Sequence, residues 1–155
     1  MNPGTELQSV MIVMADGNIE DHERVKKAFR DCGINHVFTS VFNGAQLMDL
    51  LFKRGAYTGG DELKPSVIVM DIHLDLVDGF EALKQIKSNA STSEIPVYIL
   101  AKEKRDADLK KAQDAGAIDY FKKPLKYDEL REIVSRICST CFRNINDKQS
   151  GGATG

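Results

Sequence analysis

The sequence predicts an α/β domain: a parallel sheet with helices on both faces. Three observations predict it. Five short apolar runs alternate with segments of helical period, which is the pattern of repeated β/α units. The best-defined runs are apolar at consecutive positions rather than at every second one, as strands covered on both faces require. The chain has 155 residues, 42% of them hydrophobic, enough for one core without staples and too few for a second domain.

Taken in order, the run VMIVMA from Val10 to Ala15 is of strand length, and Asp16-Gly17-Asn18 follows as a turn signal. Val25, Ala28, Phe29 and Cys32 then repeat at i, i+3, i+4, i+7 and mark the first helix. His36 to Val41 is a second strand of weaker pattern, and Leu47, Met48, Leu51 and Phe52 line a second helix ending near Gly55. Residues 55–65, rich in glycine and charge, form a surface loop. SVIVM from Ser66 to Met70 is the third strand, and Phe80, Leu83 and Ile86 mark the third helix. Residues 95–101 give a fourth strand, Leu109, Ala112 and Ala115 a fourth helix, and residues 117–122 a fifth strand. Leu130, Ile133, Val134, Ile137 and Cys141 line a long last helix. The expected organisation is a tail over residues 1–8, a domain over 9–143, and a flexible polar tail over 144–155.

Composition excludes several functions. With 21 basic and 23 acidic side chains, the net charge is -2. No block of like charge provides the field that captures nucleic acid or an anionic membrane. The longest apolar stretch, 95–101, contains Pro96 and falls short of the roughly 20 residues that span a bilayer. No secretory leader opens the chain and the three cysteines are an odd set, so a reducing cytoplasm is expected rather than a disulfide scaffold.

In parallel sheets, sites form where strands end. Strand one ends at Asp16, strand three at Asp71, strand four at Ala101 and strand five at Lys122-Lys123-Pro124. Two carboxylates and an ammonium therefore converge from distant segments. These are the groups that take up a phosphoryl: a carboxylate attacks phosphorus, an oxygen-ligated divalent cation neutralises the transferring oxygens, and a lysine pairs with the product.

These residues resemble the receiver domains of two-component response regulators. The resemblance spans about 9–141. It rests on PSVIVMDIHLDLVDGF from Pro65 to Phe80, on Ile95-Pro96-Val97, and on AGAIDYFKKPL from Ala115 to Leu125. It implies a flavodoxin-like (βα)5 fold with strand order 2-1-3-4-5. By resemblance Asp71 is the phosphoacceptor and Lys123 the phosphoryl-pairing lysine. Asp16, Asp71 and the backbone carbonyl of His73 would hold Mg²⁺, and the Lys123-Pro124 bond would be cis. The implied partners are a histidine kinase or phosphotransfer protein and a downstream protein, with a homodimer open through the last helix. The 55–65 loop and that helix, with Phe142, resemble the stand-alone bacterial regulators that partner phytochrome-type kinases.

Two positions depart from the family. Gly17 stands where a second acid normally touches the metal, which should weaken Mg²⁺ binding and leave the position to water or to Asp75. Ala101 stands where a Ser or Thr normally bonds the phosphoryl and draws an aromatic residue, here Tyr120, inward; without that hydroxyl the pull on Tyr120 is expected to be absent. His73 and Glu103 flank the site, where they would pair with each other, shield the phosphoryl from water, or be solvated loop residues.

Two readings follow. One is a phosphorylated signalling receiver without enzymatic turnover on other substrates. The other is a pseudo-receiver, a docking or dimerisation module independent of phosphate, favoured by Gly17 and Ala101. A metal-dependent phosphatase usually has a second acid two residues after its nucleophile, and Asp71-Ile72-His73 lacks it. Direct DNA binding is not expected. Cys138-x-x-Cys141 has no second Cys/His pair, so packing rather than zinc is expected, and Cys32 continues a core face.

Overall fold

Five parallel strands form one sheet in the order β2-β1-β3-β4-β5: β1 (Val10–Ala15), β2 (His36–Val41), β3 (Val67–Met70), β4 (Val97–Ala101) and β5 (Asp119–Lys122). The structure is a computed structural model that describes residues 10–60 and 64–154, with side chains as far as residue 140. The connecting helices are α1 (Ile19–Cys32), α2 (Gly44–Phe52), α3 (Gly79–Ser88), α4 (Asp106–Asp114) and α5 (Tyr127–Thr154). All five expected strands are present, in the expected order.

Successive side chains on a strand point to opposite faces, and here the two faces carry separate apolar layers. Val13, Ala15, Ile68, Met70, Ile99 and Ala101 pack with Leu47, Leu83, Ile86 and Ala112, which places α2, α3 and α4 on one face. Ile12, Met14, Val69 and Leu100 pack with Val25, Phe29, Leu130, Val134 and Ile137, which places α1 and α5 on the other. β3 is buried at all four positions, the physical reason its sequence shows no alternation. β2 lies at the sheet edge and is largely half-exposed, which explains its weaker pattern.

Helix starts are set by side-chain caps at the carboxyl ends of strands. Asn18 Oδ1 accepts from the Asp21 N–H at 3.1 Å, Asn43 Oδ1 from the Gln46 N–H at 2.8 Å, and Asp78 Oδ2 from the Phe80 N–H at 3.0 Å. Gly79 follows its cap for a steric reason. A Cβ there would stand 2.5 Å from Ile72 Cα and 2.7 Å from Asp71 O, while its N–H donates to Ile72 O at 3.0 Å. The start of α3 is thus pressed against the backbone that carries Asp71.

Two observations differ from expectation, and two add to it. No cis peptide bond occurs among the described residues, so Lys123-Pro124 is trans, the lower-energy form of an X-Pro bond. α5 continues past Asn144 to Thr154; the side chains of Cys141, Phe142 and the polar tail, and residues 1–8, lie outside the described residues. Cys32 and Cys138 are paired sulfur to sulfur across a separation of 106 residues, because packing α1 on α5 brings both core-facing positions together. Leu76, in the loop after β3, has φ 70 and is exposed. Among the described residues no helix is long and apolar enough to cross a membrane.

Two measurements check this architecture. Gly79→Ala should cost about 1–3 kcal/mol in urea unfolding, because backbone atoms cannot yield to the new methyl; no measurable loss would contradict the close approach. Denatured without reductant, the protein should alkylate at one cysteine and after reduction at three; three labels without reductant would contradict the pairing.

Candidate functional site

The sheet register builds the site before any side chain is considered. The Asp16 N–H donates to Val41 O at 3.1 Å, the Asp71 N–H to Ala15 O at 2.9 Å, and the Lys123 N–H to Ala101 O at 2.7 Å. Each functional residue is therefore the first one past its strand, hydrogen-bonded to the neighbouring strand's end. Asp16, Asp71 and Lys123, expected together, are together.

Lys123 Nζ is the centre. It lies 2.7 Å from Asp16 Oδ2, 2.8 Å from Asp21 Oδ2 and 3.0 Å from Asp71 Oδ2. The other carboxylate oxygens are held by the chain: Asp16 Oδ1 accepts from the Asn18 N–H at 2.8 Å, and Asp71 Oδ1 from the His73 N–H at 3.0 Å. Both carboxylates are thereby fixed in orientation.

Burial and charge act against each other here. Asp16 is 2% exposed, and this burial raises its carboxyl above the usual aspartate range, although Lys123 and the Asn18 N–H oppose the shift. Burial also pulls the Lys123 ammonium down, but its contacts with Asp16 and Asp21 and the charges of Asp16 and Asp71 outweigh that and hold it above the ordinary lysine range. The two directions agree: Lys123 stays charged because it is the counter-ion for several carboxylates, and one ammonium does not fully offset the burial of Asp16.

Asp21 was not evident from the sequence. The available signal was its place three residues after the Asn18 cap, where a helix turns its side chain back toward the preceding strand end. His22 was also missed. It is buried, its Nε2 donates to the Asp16 backbone carbonyl at 2.7 Å, and its ring lies 4.7 Å from that of Phe42. A carbonyl only accepts, so Nε2 carries the proton, and Nδ1 is buried without a hydrogen-bond partner.

Other expectations are corrected. Asp75 does not reach the site; it is exposed and its backbone carbonyl accepts from the Gly44 and Val77 N–H groups. Of the alternatives open to His73 and Glu103, pairing with each other does not occur, and both are exposed loop residues. His73 is exposed and contributes its backbone N–H, while Glu103 Oε2 pairs with Arg105 at 2.6 Å. Tyr120 needs no pull from a residue 101 hydroxyl to lie inward. It is 0% exposed and packs in the same apolar layer as Ala101, and its hydroxyl donates to Glu103 O at 2.7 Å. Burial first, then the charges of Asp108 and Asp71, push its phenol up to about 12.

The donors suit a hard divalent cation, being oxygens only. Three carboxylates around one ammonium leave two formal negative charges, which such an ion cancels. Asp16 Oδ2 is also a buried oxygen with an ion pair but no hydrogen bond. Among the described residues the side chains do not stand in a ready metal cage, since the carboxylates are turned onto Lys123.

Comparison with known proteins agrees with this geometry. The family described as "Response regulator receiver domain" matches residues 12–135. The chain is 28% identical over 127 residues to a probable methanogenesis regulatory protein, FilR2, of Methanothrix harundinacea (strain 6Ac), covering 82% of this chain and 80% of that protein. The phosphorylated cyanobacterial phytochrome response regulator RcpA superposes with TM-score 0.76 at 26% identity, over 83% of this chain and 91% of that one. The response regulator Rcp1, in its Mn²⁺-bound form, superposes with TM-score 0.75 at 24% identity over the same shares, a likeness of fold. With its strand order, its converging strand ends and this match over most of its length, the chain belongs to the receiver domain family of two-component response regulators.

Proposed function

We propose that this receiver domain accepts a phosphoryl group on Asp71 from a histidine kinase or phosphotransfer protein and passes the change to a protein partner. The observation that supports it most directly is the bridge from Lys123 Nζ to Asp71 Oδ2 at 3.0 Å and Asp16 Oδ2 at 2.7 Å, drawn from three strand ends.

In this reading an Asp71 carboxylate oxygen forms a bond to phosphorus as the bond to the donor breaks, and the donor leaves with the electron pair. The His73 N–H holds the other oxygen and orients the nucleophile. Lys123 starts on three carboxylates and turns part of its charge to the new phosphoryl oxygens. Asp16, Asp71 and the His73 carbonyl would hold Mg²⁺, which when bound neutralises charge on the transferring oxygens. Ile19, Phe42, Leu76 and Leu125 are exposed apolar side chains in segments after strand ends. They give a donor protein apolar contact on the side where Asp71 opens.

A second reading, a docking module whose surface does not respond to phosphate, is favoured by Tyr120. Its ring already lies inside and its hydroxyl is already bonded. A ligand moves a two-state equilibrium only through a difference in its interaction with the two states.

The wild type, incubated with Mg²⁺ and acetyl phosphate or with its kinase, should gain the mass of one phosphoryl group, and Asp71→Asn should not. No gain in the wild type under either condition would end the phosphoacceptor reading. Beryllofluoride, a phosphoryl mimic, should leave the Tyr120 ring resonances unmoved if the second reading holds. A large shift would return the domain to an ordinary switch.

A further inference from the structure

The glycine at position 17 leaves open where the second acid of the site comes from. A Cβ at Gly17 would meet only Phe42 O, at 3.7 Å, so neither crowding nor a left-handed backbone requires glycine there. A side chain can start at position 17 without a clash at its Cβ, yet the site already holds three carboxylates. The third, on Asp21, arrives from the first turn of α1 through a hydrogen-bonded relay. Asp16 Oδ1 accepts from the Asn18 N–H, and Asn18 Oδ1 accepts from the Asp21 N–H. This loop links the end of β1 to the first turn of α1, so that Asp21 Oδ2 lies 2.8 Å from Lys123 Nζ.

We propose that Asp21 supplies the carboxylate that Gly17 lacks: it positions Lys123 in the resting site and serves as an acid of the divalent-cation site. This rests on the phosphoacceptor reading of Asp71. What points to a cation is the buried Asp16 Oδ2, which has the Lys123 ammonium at 2.7 Å but no hydrogen bond, together with the two negative charges that Lys123 leaves uncancelled. The two acids are alternatives. A carboxylate at 17 beside Asp21 would add a fourth negative charge against one ammonium, so a single exchange of position conserves the charge of the site.

The test is a swap in the full chain: wild type, Asp21→Asn, and Gly17→Asp/Asp21→Asn. Mn²⁺ and Mg²⁺ affinity is measured by calorimetry, with intact mass after acetyl phosphate in parallel. Asp21→Asn should weaken cation binding about tenfold or more, and the double variant should recover most of that loss. Thermal unfolding in EDTA, compared across the three proteins, separates loss of the Lys123 contact from loss of the cation; a merely structural residue would lower stability without having its cation affinity rescued from position 17. Unchanged cation affinity in Asp21→Asn, or a double variant that binds no better, would overturn the proposal even if the wild type is phosphorylated. A wild type that neither binds the cation nor gains phosphoryl mass would instead remove the phosphoacceptor reading, and this proposal with it.

Discussion

One ammonium holds this site together. Lys123 Nζ touches Asp16, Asp21 and Asp71 within 3.0 Å, and those acids come from the end of β1, the start of α1 and the end of β3. Unit charges about 4 Å apart interact by roughly 4 kcal/mol at a near-surface effective dielectric of 20. Like-charged carboxylates gathered in a largely buried pocket therefore need a counter-ion in place. The lysine reaches them because β5 pairs with β4 and the Lys123 N–H is anchored to Ala101 O. The strand order, the register and the charge of the site are one constraint seen at three scales.

The backbone around Asp71 is held as firmly as its side chain. Gly79 allows α3 to start against the Asp71–Ile72 backbone, and the Asp78 cap fixes where it starts. The Asp-Gly pair thus has a physical meaning apart from any family pattern: an acceptor for the helix N-terminus, then a residue with no side chain where two backbones touch. Together with the His73 N–H on Asp71 Oδ1, this leaves the carboxylate little orientational freedom.

Ala101 offers Tyr120 no hydroxyl partner. The Tyr120 ring packs in the same apolar layer as Ala101, and its hydroxyl donates to Glu103 O. Burial and that carbonyl decide where Tyr120 lies.

The sequence alone determined the strands, the parallel sheet and the trio Asp16, Asp71 and Lys123. Apolar runs report burial directly, and a residue just past a strand has little choice of place. What lies beyond the strand ends was decided by tertiary structure. Asp21 is in the site and Asp75 is not because the rotation of α1 and the path of the loop after β3 set their directions. Tyr120 is inward because space and a carbonyl partner exist there, and Cys32 meets Cys138 because α1 packs on α5. Local pattern carries the period of an element. It does not carry the angle at which two distant elements meet, and that angle decided which further acid lies beside Lys123.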